Sequence, residues 1–172
     1  MLGWFLDRFK SAGAKSLLDI GCGIGRHARD FESFHYLGLD LVRDYLIKAA
    51  AGSNLPYVIG DASRPTDMFV PKSFDAVLWY DSIEHLDKDV GINAIADSMT
   101  IARKRVGVFT PLGFLEQTEN VWGGDAGDAQ VHKSGWTDYE LRHLGFEEIE
   151  IVTTSRRGIG SVRLMLAMAK VG

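Results

Sequence analysis

The sequence predicts an α/β fold: a doubly wound, seven-stranded sheet, mostly parallel, with a C-terminal antiparallel hairpin strand. Three observations carry that expectation. Short apolar runs alternate with helical patterns over the first two thirds of the chain, the first run ends in a glycine-paved turn, and the last two runs follow one another with no helix between them. Such alternation argues for a parallel sheet covered by helices on both faces.

Leu2, Phe5, Leu6 and Phe9 recur at helical spacing, so residues 1–13 read as an amphipathic N-terminal helix ending near Gly13. Trp4, Phe5 and Phe9 on it are read as core, with a lid over a ligand as the alternative. Strands are expected at Ser16–Ile20, Tyr36–Asp40, Tyr57–Gly60, Phe74–Tyr80 and Val106–Thr110, with helices at Ala28–Phe34, Val42–Ala51 and Val90–Ala102 between them. Residues 111–135 are polar and glycine-rich, and a loop of about two dozen residues in a compact domain is usually functional or mobile. Thr137–Leu144 then reads as a short helix closed by Gly145. Phe146–Thr154 and Val162–Ala169 would be the last two strands, joined by a turn around Arg156–Gly160.

A chain of 172 residues suits one domain, 1–172, that buries roughly 70% of its unfolded surface. With 46% hydrophobic and 24% charged residues it has an ordinary globular composition. A net charge of −4 offers no basic field for phosphates, which disfavours a large nucleic-acid footprint. The densest basic spots, Arg103-Lys-Arg105 and Arg156-Arg157, read as a solvated helix end or loop. Cys22 is the single cysteine, so no internal disulfide forms, and its place between two glycines suits packing. No long apolar run and no secretion signal are visible, so no membrane association and a cytoplasmic location are expected.

The chemistry concentrates in Leu17-Leu-Asp-Ile-Gly-Cys-Gly-Ile-Gly25, a strand running into a turn with a carboxylate just ahead of the first glycine. Gly21, Gly23 and Gly25 allow a sharp turn and a close approach of backbone to ligand. A helix from about Arg26 to Ser33 would aim free N–H groups at that ligand. The dinucleotide fingerprint needs a glycine where Arg26 stands, and the P-loop string is absent. Asp19 would repel a pyrophosphate but suits a ligand carrying an ammonium and a sulfonium.

The string Asp19-Ile-Gly-Cys-Gly-Ile-Gly25 resembles the first motif of the class I S-adenosylmethionine-dependent methyltransferases, and the resemblance extends over nearly the whole chain. It implies a Rossmann-like sheet and S-adenosylmethionine as cofactor. Cofactor contacts are implied at Asp19, Gly21, Gly23, Gly25, Asp40, Leu41, Asp61, Ala62 and Tyr80. Asp40 would accept bonds from both ribose hydroxyls, and Asp61 with the Ala62 backbone would read the adenine edge. Capping of the next helix is the plainer reading of Asp40, and a simple turn that of Gly60-Asp61.

Asp81-Ser-Ile-Glu-His-Leu86 follows the fourth strand, where the family holds the methyl group and acceptor. Asp81, Glu84 and His85 stand at i, i+3 and i+4, so one helical turn would gather them. With His132 from the long loop, these carboxylates and imidazoles could ligate magnesium, manganese or zinc. The arrangement resembles two metal-assisted O-methyltransferase groups, those of ubiquinone biosynthesis and those modifying the 3′ ends of small RNAs, although Asp81 stands where both usually have Glu. The competing reading makes Asp81 an N-cap with Glu84 bonding back. Asp81, His85 and His132 are then candidate catalytic groups without a metal, and Asp87 and Asp89 are solvated helix-start charges.

The expected activity is methyl transfer to an oxygen, less readily a nitrogen, of a small-molecule acceptor. A non-catalytic cofactor-binding subunit, an RNA methyltransferase and, most weakly, a nicotinamide dehydrogenase are the alternatives. So minimal a chain must build its acceptor pocket from the N-terminal helix, the 111–135 loop and a partner subunit, a homo-oligomer being one such arrangement.

Overall fold

The computed structural model describes residues 1–120, 122–156 and 160–172. Seven strands form one sheet: β1 (Ser16–Ile20), β2 (His35–Asp40), β3 (Tyr57–Ile59), β4 (Phe74–Tyr80), β5 (Ala102–Pro111), β6 (Glu148–Arg156) and β7 (Gly160–Lys170). Their order is β3-β2-β1-β4-β5-β7-β6, with β1 to β5 parallel and β7 antiparallel to both β5 and β6. The helices are α1 (Leu2–Ser11), α2 (Arg43–Gly52), α3 (Lys88–Ile101) and α4 (Asp138–His143). The expected turn around Arg156–Gly160 and the Arg156-Arg157 pair fall largely outside the described residues.

The alternation along β4 explains why both faces are covered. Ala76 and Leu78 point into one core with Phe5, Phe9, Leu17 and Phe31, while Val77 and Trp79 point into the other with Leu18, Ile95, Trp136 and Phe146. Trp79 satisfies its indole N–H on Ser98 Oγ at 3.0 Å, so a large aromatic is buried without an orphaned donor. Phe5 and Phe9 are fully buried, which makes the α1 stripe core and no lid.

Three local expectations are corrected. Residues 26–34 form no α-helix, only a 3₁₀ turn at Ala28–Phe31. Phe31, the last residue of the 3₁₀ turn, stacks on Tyr36, and Phe34, in the bend that follows, packs on Phe9. Arg103-Lys-Arg105 lies inside β5, because Arg103 and Lys104 pair with Asp75 at the start of β4. The capping box falls at Thr137 and Glu140, ahead of α4. Ile83–His85 is a 3₁₀ turn with Ser82 at its N-cap position, and Asp81 sits before it with φ +56°.

Candidate active site

β1 and β4 are adjacent, and the chain leaves their carboxyl ends toward opposite edges of the sheet, which opens a crevice there. Gly21, Gly23 and Gly25 all have positive φ in the turn that floors it. The space they leave is taken by the protein itself. A Cβ on Gly21 would come 2.5 Å from Ser82 Cβ, and one on Gly23 would come 2.0 Å from the Trp122 ring. Gly25 packs likewise on Ala49 and Tyr57.

Three cavities meet over this turn. The first, about 710 Å³, is lined by Gly21, Asp40, Leu41, Asp61 and Ala62, and across from them by Trp79, Asp81, His85 and Lys133. The second, about 510 Å³, holds Asp19, Cys22, Arg26, His27 and Tyr80. The third, about 820 Å³, is lined by Arg26, Asp81, His85, Gln117, Gln130 and His132. Asp81 and Trp122 border all three, and Gly21 joins the first two into one trough. The three acidic strand ends thus face a common hollow, whereas Gly23 and Gly25 line none of these cavities.

Each acid is held differently. Asp40 accepts from Gly23 N at 2.8 Å and from Val42 N at 2.9 Å, so it braces the glycine turn and caps the entry to α2. Asp61 is exposed and closes a short turn by accepting from Ser63 N at 2.8 Å. Asp19 accepts the Tyr36 hydroxyl at 2.8 Å through Oδ2, while no protein donor reaches its buried Oδ1. Burial, partly offset by Tyr36 and reinforced by Asp40, pushes its carboxyl up to about 7. Burial and the two nearby acids push the Cys22 thiol up, leaving it unreactive, in line with packing.

Glu84, His85 and His132 each offer a ligand atom within 4.8 Å of the others'. Glu84 is 1% exposed; it accepts the Thr110 hydroxyl at 3.0 Å and hydrogen-bonds the Asp81 carboxyl. Burial and the Asp81 charge raise its carboxyl well above the usual range. His85 Nδ1 donates to Val131 O at 3.2 Å and His132 Nδ1 to Leu115 O at 2.6 Å, which in the neutral His85 ring makes Nε2 the lone-pair nitrogen. Burial and the neighbouring imidazole lower His85, keeping it neutral near pH 7.

A family model described as "Methyltransferase domain" matches residues 18–103, half of the chain. The chain belongs to the class I S-adenosylmethionine-dependent methyltransferases. Solved structures agree in fold. A SAM-dependent methyltransferase from Methanosarcina mazei superposes with a TM-score of 0.70 at 14% identity, covering 90% of this chain and 91% of that one. The methyltransferase domain of bacterial CtHen1-CN gives 0.65 at 21% identity, with 98% and 96% covered. Phosphoethanolamine N-methyltransferase 2 of Haemonchus contortus, solved with S-adenosylhomocysteine, gives 0.65 at 18% identity, with 98% and 52% covered. No protein of curated function matches the sequence. Among the described residues no helix is long and apolar enough to cross a membrane.

Several residues that shape this methyltransferase's crevice were not singled out from sequence: Tyr45, Ser82, Trp122, Gln117, Gln130 and Lys133. Only Trp122 carried a signal. A tryptophan followed by Gly123-Gly124 in a polar loop has no periodic apolar neighbours to bury it, so it must find its contact elsewhere.

Proposed function

We propose that the chain transfers a methyl group from S-adenosylmethionine to an oxygen of a small-molecule acceptor, at the junction of the three cavities around Asp81. The observation that carries this reading is the convergence of Asp19, Asp40 and Asp61, from three strand ends, on one trough. In it Asp40 takes the ribose hydroxyls. Its oxygens already accept the Gly23 and Val42 N–H groups, with the Leu41 N–H beside them, and the remaining lone pairs accept the sugar hydroxyls. Asp61 and the Ala62 backbone meet the adenine edge, and the exposed Leu41 covers its face. Gly21 lines the trough, Gly23 and Gly25 set its shape, and Tyr80 walls the amino-acid end. The partnerless Oδ1 of Asp19 receives the ligand's ammonium, and Arg26 offers its guanidinium to the carboxylate.

The acceptor oxygen attacks the methyl carbon, the C–S bond breaks, and S-adenosylhomocysteine departs with the electron pair. Neutral His85, assisted by His132, accepts the hydroxyl proton, and Asp81 lies beside both. Holding oxygen and methyl about 3–3.5 Å apart in line supplies ~7–11 kcal/mol of the barrier reduction.

The same residues fit a divalent cation. Glu84, His85 and His132, with Asp81 beside them, form an oxygen and nitrogen donor set, and each imidazole is oriented by a carbonyl on its far nitrogen, as metal-binding histidines are. When bound, such an ion lowers the pKa of a coordinated hydroxyl. Asp81 in place of the longer Glu sets back one carboxylate, so Glu84 must give up its proton to complete the set.

Calorimetry with S-adenosylmethionine, followed by detection of S-adenosylhomocysteine over a panel of hydroxyl and amine acceptors, tests this reading. Turnover confined to amines overturns the oxygen assignment. Tight binding without any turnover favours a binding subunit, and no binding at all removes the cofactor site.

A further inference from the structure

The loop between β5 and α4 crosses the carboxyl edge of the sheet and drops one indole into the trough. Trp122 lies against Gly23 so closely that an added Cβ would meet its ring at 2.0 Å. It borders both the cavity of Asp40 and Asp61 and the cavity of Asp19. A ligand that reaches from the first to the second must pass over the turn on which this ring rests. We infer that Trp122 is a gate: it closes the trough in this conformation and must swing off Gly23 for the cofactor to enter. The inference rests on reading the trough as the cofactor site.

The indole is tethered by contacts that are cheap to break. It packs edge-on against Tyr45 with centroids 5.3 Å apart, and its carbonyl accepts from the exposed Lys48 at 2.7 Å. The Trp122 backbone N–H donates to Asn120 Oδ1, which also takes the Tyr45 hydroxyl at 2.7 Å. The following Gly123, Gly124 and Gly127 have φ of +65°, +85° and +49°, conformations from which glycine moves freely. The far end of the loop is fixed instead. Glu84 O accepts from both Lys133 N and Ser134 N, and His132 N donates to Gln117 O.

The division of the loop predicts which part moves. The segment around Trp122 swings, while Gln130, His132 and Ser134, all buried, stay with the sheet. Trp122 also borders the cavity of Gln117 and His132, so its departure reshapes the acceptor side. A closed state that outweighs the open one about tenfold lowers the apparent cofactor affinity by about the same factor.

The test measures association of S-adenosylhomocysteine with the full chain by surface plasmon resonance, beside calorimetric affinities. Trp122→Ala should raise the association rate about tenfold with an equal or tighter Kd. Lys48→Ala, which removes a tether outside the trough, should shift the rate the same way by less. An unchanged rate in both variants, or slower and weaker binding in Trp122→Ala, overturns the gate and makes the indole a plain wall. Wild-type chain that binds no S-adenosylhomocysteine would instead remove the cofactor site, and the gate with it.

Discussion

The Asp40 carboxylate accepts the backbone N–H of Gly23 at 2.8 Å, tying the last residue of β2 to the middle of the turn after β1. The acid proposed to hold ribose is thus also the clamp that shapes the glycine floor. Asp40→Ala should weaken S-adenosylmethionine binding by more than tenfold, since charge-assisted bonds are worth about 1.5–3 kcal/mol each. It should also lower the melting temperature, because Gly23 and Val42 lose their acceptors. Asp40→Asn keeps an acceptor oxygen and should fall between the two. Wild-type affinity in Asp40→Ala, read by calorimetry, would refute the ribose assignment.

Asp19 makes cofactor affinity depend on pH. Its carboxyl is raised to about 7 by burial, so it is largely neutral at pH 6 and ionises through neutrality. An ammonium ligand binds the ionised form, so affinity should rise with pH until the ligand's own α-amino group deprotonates near about 7.7–8.0. The folding term has the opposite sign. An acid whose folded pKa is raised destabilises the fold as pH climbs from about 4 to about 7, where the unfolded chain has released a proton the native chain still holds. Asp19→Asn should therefore melt higher at pH 8 while losing most of its affinity and its pH dependence. Affinities measured from pH 6 to 8.5 that run parallel in the two proteins would remove Asp19 from the site.

Much of this architecture was legible because glycines and acids punctuate the strand ends. The apolar run before Asp19, the acid closing β2 and the Gly60-Asp61 turn each mark a carboxyl edge in the sequence itself. The failures have physical causes. Residues 26–34 carry helical spacing, yet the chain makes only the 3₁₀ turn Ala28–Phe31, and Phe31 and Phe34 pack against two different aromatic neighbours, Tyr36 and Phe9, that are remote from any local pattern. Arg103-Lys-Arg105 read as a helix end or loop because the partner of Arg103, Asp75, stands on the preceding strand, and cross-strand pairing leaves no trace in local pattern. That Ser82 and Trp122, both distant in sequence, pack against Gly21 and Gly23 is equally invisible in the local pattern. Glu84 and His132 could be named as candidates, but only tertiary folding reveals that a buried carboxyl and a loop imidazole meet.

Asp75 should govern acid stability. Burial alone would raise its carboxyl, but Arg103 Nε at 2.8 Å and the Lys15 N–H at 2.7 Å outweigh it and lower it below the usual value. An acid with a depressed folded pKa stabilises the fold above its unfolded value, near 3.8 here, and that contribution disappears as pH falls through the folded value. Arg103→Ala should cost about 1 kcal/mol at neutral pH, the modest figure reflecting a guanidinium that is 43% exposed. It should also move the acid unfolding midpoint upward. Superimposable acid titrations followed by circular dichroism would show that the backbone N–H groups and Lys104 hold Asp75 without Arg103.

Glu84 separates a metal-assisted reaction from one that relies on imidazole. It is buried against Thr110, and its carbonyl anchors the loop through Lys133 and Ser134, so substitution must preserve shape. Glu84→Gln keeps an acceptor for Thr110 and gains N–H donors toward Asp81, and should melt near the wild type with S-adenosylmethionine affinity unchanged. With a divalent ion at work, it should lower turnover about 100-fold. A chelator should then abolish wild-type turnover, manganese or magnesium should restore it, and the residual rate of Glu84→Gln should ignore the chelator. If His85→Gln abolishes turnover while chelators leave the wild type untouched, the neutral imidazole acts alone as base, and Glu84 serves only to hold the loop.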